Sequence, residues 1–462
     1  MKLRTYEKIL SGDLETPISM FSKYANKKIG FLLESKGEAE GRYSFMAADP
    51  YITLKIYKGK VTVIKDGNTS VCDLAPIKAI EFYMQEDEVK NTTDLPFAGG
   101  SVGTFGYDMI RYSETLPDNN PDTIETPDSH LLFVKEFMAY DHFHQKIHLV
   151  CLDEETDEGQ ARATLRLNKM AAYLNLEHNL KTATENIDVE FKSNETKESF
   201  MAKVNKAKDY IYNGDIFQVV LSQRFSGTKE NLDAFSLYRT LRQVNPSPYM
   251  YYFNMGDYEI VGSSPERLVN LENEKMQTCP IAGTRKIGAT EEENLALEKE
   301  LANDEKERAE HVMLVDLGRN DMGRVSQIGS VNVTQFMRVK RYSHVMHLES
   351  LVTGMRKEGK SMYDVLLSFL PAGTLSGAPK VRAMEIIDEL ETVRRGIYGG
   401  AIGYFGFNQN MDMCIAIRTM VIKNNTINIQ AGAGIVADSN PESEFEECRN
   451  KAQALVTAIT GK

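Results

Sequence analysis

The stretch 429-IQAGAGIVADSNPESEFEECRNKAQALV-456 carries more information about the fold than any other part of the chain. An alternating strand runs into a glycine-rich turn, and a helix opens at Pro441. Gly432 and Gly434 let the backbone come close to a ligand. Three carboxylates fall in the first turns of the helix, with Arg449 and Lys451 behind them. Glu444 and Glu447 are three apart and share a face, and Lys451, four past Glu447, joins them. Such a face suits a Mg²⁺ ion that itself holds an anionic substrate. An ordinary capped helix has the same pattern, because acids early and bases late complement its dipole. The rest of the chain decides between the two.

Upstream, strands and helices alternate in the same way. A helix is expected over 196–215, closed by Asn213-Gly214, then a strand over 217–225, a helix over 232–244 and a strand pair over 249–271. One long charged helix is expected over 290–321, with a solvated acidic face. The first ~185 residues read mostly as strands: 31–35, 51–57, 60–67, a glycine-spaced segment at 99–112, and a hairpin over 131–152 followed by a helix at about 156–175. The glycine-rich apolar stretch 396–407 reads as a buried strand. The polar stretch 181–196 is the expected linker between domains at 1–185 and 195–462. Hairpins outnumber crossover units. The expected class is therefore α+β, a layered sandwich of central, mostly antiparallel sheets flanked by outer helices.

With 54 Lys and Arg against 66 Asp and Glu, the net charge of −12 argues against a nucleic-acid surface. The five cysteines, Cys72, Cys151, Cys279, Cys414 and Cys448, are scattered and form no CxxC pair, which fits a reducing cytoplasm. The N-terminus has no secretory h-region, and no run approaches the roughly 18 apolar residues that would span a bilayer.

Several segments have chemical potential. Glu307 and Glu310 share a face that runs into the apolar HVMLVDL, and a carboxylate taken toward a core needs a cation. That pair and Glu444/Glu447 could face each other across Mg²⁺. The loop 371-PAGTLSGAPK-380 opens a helix, a place for a small carboxylate, although plain helix capping reads equally well. It lacks the P-loop pattern. Thr284 and Thr374 offer hydroxyls beside glycines. His347 lies on an apolar alternation, where a satisfied core histidine is the ordinary case. Arg418, inside the apolar strand expected over 412–422, needs an anionic partner from protein or ligand.

Together GDIFQVVLSQRF (214–225), NPSPYM (245–250), GSSPERLV (262–269), PIAGTR (280–285), DEKERAEHVMLVDLGRND (304–321), PAGTLSGAPKVRAMEIIDELE (371–391), YGGAIGY (398–404), CIAIRT (414–419) and the opening stretch resemble the Mg²⁺-dependent chorismate-utilising enzymes. Within that family the likeness is to the large subunit of anthranilate synthases, and with LLES (32–35) it covers nearly the whole chain. The resemblance implies that Glu310 and Glu447 bind Mg²⁺ directly, with Glu307 and Glu444 nearby, and that the ion holds the ring carboxylate of chorismate. It implies Glu266 as general acid to the departing C4 hydroxyl while ammonia attacks C2. An aminodeoxyisochorismate then loses pyruvate, a step in which His347 and Thr374 are implicated. Tyr398 and Arg418 would hold the enolpyruvyl carboxylate; Gly283, Gly432, Gly434 and Lys451 would contact carboxylates, and Thr284 and Gln218 would also bind substrate.

Two positions sort the relatives. Water-adding members carry a lysine base where this chain has Gln218, and aminodeoxychorismate synthases carry a lysine where it has Ala282. Both favour anthranilate over isochorismate, salicylate or 4-amino-4-deoxychorismate as product. The alternatives are aminodeoxychorismate synthase component I and a non-catalytic tryptophan-sensing subunit. The resemblance further implies an allosteric L-tryptophan pocket at Leu33, Glu34, Ser35, Asn245, Pro248, Tyr249, Met250 and Cys414. No GxCxGxQ elbow is found, so a separate glutamine amidotransferase subunit is expected to supply ammonia, in a heterotetramer.

Overall fold

The structure is a computed structural model, which describes residues 2–25, 27–35, 41–85, 89–177, 180, 187–342 and 345–461. Its strands form one 13-stranded and one 12-stranded sheet. Among the described residues every neighbouring pair is antiparallel except a two-residue edge contact of Leu3–Arg4 with Val89–Lys90. The two sheets pack face to face. Phe31, Phe45, Phe137 and Phe253 of the larger meet Val102, Leu132, Ile402 and Tyr404 of the smaller in one buried layer. The helices Pro17–Ala25, Asp157–Leu174, Ala234–Val244 and Pro441–Thr460 cover the outer face of the larger sheet. Pro76–Met84, Glu305–Gly323 and Met362–Phe369 cover that of the smaller. This is the expected α+β sandwich. Each large apolar side chain buried in these layers contributes roughly 1.5–3 kcal/mol.

A sheet covered on both faces needs apolar strands throughout rather than alternating ones. Gly100–Phe105 and Ala401–Gly406 are accordingly buried at every position. The glycine spacing of 99–112 and 396–407 has one cause, because these strands are neighbours with Gly103 opposite Gly403. A Cβ on Gly103 would lie 2.0 Å from the carbonyl oxygen of His130, and one on Gly403 1.9 Å from that of Asp412. The segments before 185 and after 195 contribute strands to both sheets, with Glu34 opposite Met250 in one and Gly103 opposite Gly403 in the other. The expected linker lies partly outside the described residues. Its described end holds the short strand Lys192–Ser193, paired to Gln218–Thr228.

Five expected elements are corrected. The hairpin over 131–152 is three strands. Ser129–Val134 belongs to the smaller sheet, and only Glu136–Asp141 and Lys146–Glu154 form a hairpin, in the larger. The pair over 249–271 is Tyr249–Asn254 with Glu259–Ser264, after which Arg267–Glu272 crosses into the smaller sheet. The apolar 412–422 is also two strands, Met411–Ile415 and Thr419–Lys423, one in each sheet. Arg418 stands at the crossing with φ +49°. In all three cases the apolar pattern continues across the change of sheet, because both sheets line the same core. Finally, the charged helix is two, Glu291–Asn303 and Glu305–Gly323. Asp304 restarts it by accepting the amides of Lys306 (3.0 Å) and Glu307 (3.1 Å). The segment 99–112 is a strand only to Phe105 and then a 3₁₀ turn, Tyr107–Tyr112.

Candidate active site

Two of the sheet crossings run side by side. The amide of Ile415 donates to the carbonyl of Glu266 (3.0 Å), and that of Ser263 to the carbonyl of Arg418 (3.1 Å). This brings Glu266 and Arg418 together from 152 residues apart in sequence. The Thr374 hydroxyl donates to Glu266 Oε1 at 3.2 Å. Glu266 keeps a little surface, but its carboxyl is enclosed, and burial raises its pKa to about 7 against the opposing pull of Thr374, Lys451 and Arg418. Burial also lowers the pKa of Arg418, with Glu266 acting the other way. Among the described residues the Arg418 guanidinium makes no hydrogen bond or ion pair, so its donors are open to a ligand. A cleft open to solvent reaches from Glu266 and Thr374 past Pro280 and Leu317 to Asp321.

His347, on the strand Val345–Met355, joins this group. Its Nδ1 lies 2.7 Å from the carbonyl of Gly283 and 3.1 Å from the Thr284 hydroxyl. A carbonyl can only accept, so Nδ1 carries the proton and Nε2 keeps its lone pair. Burial lowers the imidazole pKa from its ordinary value, with the Gly283 bond opposing and Arg418 adding to the fall. Gly283 has φ +64°, and a Cβ there would meet Leu301 Cδ1 at 2.8 Å and Glu307 Oε2 at 3.0 Å.

The opening strand, Thr426–Ile435, pairs with Gln218–Thr228, placing Gly432 opposite Ser222 and Gly434 opposite Val220. A Cβ on Gly432 would lie 2.8 Å from the Tyr398 hydroxyl, and one on Gly434 2.5 Å from Gln218 Nε2. Gln218 Oε1 is buried without a partner among the described residues. The helix Pro441–Thr460 begins as expected, with Asn440 accepting the amides of Glu442 (3.0 Å) and Ser443 (3.1 Å). Lys451 Nζ then reaches back to the Gly432 carbonyl (3.0 Å) and pairs with Glu447 (2.7 Å).

Glu310 and Glu447, one from each expected carboxylate pair, lie near enough for their charges to act on each other. Burial raises the pKa of Glu310, and Glu307 and Glu447 raise it further. Burial likewise raises that of Glu444, with Glu447 adding to it. Glu310 forms no hydrogen bond or ion pair among the described residues, while Glu307 is held by Arg285 Nη1 at 3.2 Å. Among the described residues no three His, Cys, Asp or Glu side chains close on one point. Two carboxylates completed by water and substrate oxygens are the shell Mg²⁺ keeps at substrate sites. An unpaired, half-buried Glu310 beside like charges fits that ion.

The residues expected to hold tryptophan are gathered around the pairing of Leu33–Glu34 with Met250–Tyr251. Leu33, Tyr249 and Cys414 pack together between the sheets. Glu34 and Met250 face the helix layer instead, and the Glu34 carboxylate is held by Tyr238 and by Arg242 at 2.8 and 2.9 Å. Ser35 follows Glu34 out of the strand, and Pro248 is half-buried. Asn245 Nδ2 is buried without a partner among the described residues.

The sequence reading did not single out four of the residues that organise the site. Arg267, next to Glu266, donates to the Tyr249 hydroxyl (2.7 Å) and so ties the Glu266 segment to Tyr249. Arg285 ties Glu307 to Asp304 and Glu300. Glu391 and Arg395 form a buried ion pair beneath Tyr398. The Arg394-Arg395 doublet beside YGG was the one available cue, two cations leading directly into an apolar strand.

This arrangement can hold an anionic ring, protonate a leaving group and accept a proton. The chain belongs to the chorismate binding enzymes, whose family model matches residues 30–457. It is 51% identical to anthranilate synthase component 1 of Acetivibrio thermocellus, over 97% of this chain and 93% of that one. The corresponding protein of Pseudomonas aeruginosa is 47% identical over the same shares. The crystal structure of anthranilate synthase component I from Streptococcus pneumoniae superimposes with a TM-score of 0.83 at 40% identity, over 98% of this chain and 99% of that one. Among the described residues no helix is long and apolar enough to cross a membrane.

Proposed function

We propose that this chain converts chorismate and ammonia to anthranilate, pyruvate and water, the first committed step of L-tryptophan formation. The observation that carries the reading is the enclosed Glu266 carboxyl, bonded to Thr374 and within the electrostatic reach of Lys451 and Arg418. Arg418 and the Tyr398 hydroxyl hold the enolpyruvyl carboxylate, and Lys451 with the backbone of Gly283, Thr284, Gly432 and Gly434 lines the ring-carboxylate end. Mg²⁺ on Glu310 and Glu447, with Glu307 and Glu444 beside it, supplies positive charge against the ring carboxylate when bound. Glu266 gives its proton to the C4 hydroxyl as water departs and ammonia adds at C2. Gln218 has no basic group, and ammonia needs none to attack. His347 Nε2 then takes the C2 proton, the enolpyruvyl C–O bond breaks, and the ring becomes aromatic as pyruvate leaves. Ala282 presents no amine for a covalent adduct, which favours direct attack at C2.

The test mixes the purified chain with chorismate, Mg²⁺ and ammonium. Fluorescent anthranilate and pyruvate should appear together and stop on adding EDTA. Chorismate consumed without pyruvate would point to aminodeoxychorismate instead. We also propose a glutamine amidotransferase subunit as partner, in a heterotetramer. Glutamine should therefore fail to replace ammonium for this chain alone, and full glutamine-dependent activity without a partner would refute it. All five cysteines are free thiols, which suits the cytoplasm.

L-Tryptophan is proposed as feedback inhibitor, bound beside Leu33, Tyr249 and Cys414, with the open Asn245 amide as a donor for its carboxylate. Adding tryptophan to the ammonium assay should suppress the rate. An unchanged rate at saturating tryptophan would remove the allosteric part of the reading and leave the catalytic part standing.

A further inference from the structure

The Arg395 side chain is 1% exposed and its partner Glu391 4%. Arg395 Nε donates to Glu391 Oε2 (2.9 Å) and Nη2 to Glu391 Oε1 (2.6 Å). Its remaining bonds go to backbone: Nη1 to the carbonyl of Leu375 (2.6 Å) and Nη2 to that of Val220 (2.8 Å). The guanidinium carbon also lies 4.6 Å from the ring centre of Tyr107 and 5.6 Å from that of Tyr398. Glu391 Oε1 in turn accepts the amide (2.9 Å) and hydroxyl (2.8 Å) of Ser222, the residue opposite Gly432.

Apart from the ring contact to Tyr107, each of these contacts ends on a segment that carries a site residue. Leu375 follows Thr374, Val220 lies two residues past Gln218, Ser222 faces Gly432, and Tyr398 is itself in the site. A buried ion pair adds little net stability over apolar residues of the same volume, so stability alone is a weak reason for this one. What a planar fork adds is geometry, because it fixes several acceptors in one plane. A cation against the Tyr398 ring also makes its hydroxyl a better donor to a carboxylate.

We propose that Arg395 and Glu391 are the positioning pair of this active site. They hold the Thr374 hydroxyl against Glu266 and the Tyr398 hydroxyl at the edge of Gly432, so that the acid and the carboxylate clamp keep one mutual geometry. The proposal rests on the reading of the site as a chorismate site. The plain alternative is a core brace with no influence on the reaction.

The test is Arg395→Lys, which keeps the positive charge and a pair with Glu391 but has no planar fork. Chorismate consumption, anthranilate formation and calorimetric chorismate affinity are measured per folded molecule, with the folded fraction taken from thermal unfolding. The expected result is a kcat lowered about 100-fold, the scale of a misplacement of about 1 Å, with chorismate affinity lowered about tenfold. Values within twofold of the parent would make the pair a brace and overturn the proposal, even with a lowered melting temperature. Should Arg395→Lys fail to fold, Glu391→Asp keeps both charges, shortens the acid by one methylene and is judged by the same values. The parent is measured first. A parent that consumes chorismate but forms another product overturns the anthranilate reading, while the variant comparison on consumption and affinity still decides the positioning role.

Discussion

Glu266→Gln lowers kcat with chorismate and ammonium by roughly 10²–10⁴-fold, the range for loss of a positioned general acid. The amide can still accept the Thr374 hydroxyl, so the loss is chemical rather than structural. The pH dependence gives a second readout. Glu266 acts in its protonated form, and burial raises its pKa to about 7. Its contribution to kcat/KM is therefore full well below pH 7 and falls as the pH rises through 7. The free base of ammonia becomes more abundant over the same range, so the optimum lies between the two limbs. In Glu266→Gln the alkaline fall in kcat/KM for chorismate disappears. A variant that keeps that fall, or keeps the parental rate, would remove Glu266 from the acid role.

Glu310→Gln should have the next largest effect, a loss on the order of 10³-fold in Mg²⁺-dependent turnover, or about 4 kcal/mol of charge stabilisation. Calorimetry should show Mg²⁺ affinity falling with it. Stability of the metal-free protein should move the opposite way. The Glu310 pKa is raised by burial, by Glu307 beside it on the same helix and by Glu447, so its charged form is disfavoured in the fold. A neutral isostere removes that repulsion and should raise the melting temperature without Mg²⁺ while abolishing the shift Mg²⁺ produces. Glu447→Gln should lose turnover likewise, and its lost pairing with Lys451, exposed on both sides, should cost little stability. Parental Mg²⁺-dependent activity in either variant would break the metal assignment.

Much of the site was legible because its chemistry is local. Glu307 with Glu310, and Glu444 with Glu447, share a face through spacing alone, and the structure brings Glu310 within reach of the Glu447 charge. The glycines of the opening stretch read as places of close approach, and their partners are the Tyr398 hydroxyl and the Gln218 amide. Arg418 was read as a strand residue because 412–422 is apolar throughout. It stands instead at a break between two strands of different sheets, and the pattern does not change there because one core lies on both sides. The single helix expected over 290–321 failed for a related reason. Asp304 is compatible with a helix interior by composition and becomes a cap only when Arg285 and the turn around it are in place.

What the sequence determined by itself is the set of elements and groups: an antiparallel α+β chain, two acidic helix faces, glycine-relieved strands and a carboxylate near an apolar run. Hydrophobic period, helix spacing and glycine placement are short-range properties, and a chain displays them without knowing its neighbours. Only the tertiary structure decided that the strands divide between two sheets and that the chain crosses from one to the other at Glu266 and again at Arg418. Those crossings, bonded side by side, put an acid and an unpaired cation at one point and close Glu266 off from water. Arg395, reaching Leu375, Val220 and Tyr398 at once, belongs to the same category. The reason is physical: burial and the meeting of distant backbone segments are properties of the packed chain, and no local pattern encodes them.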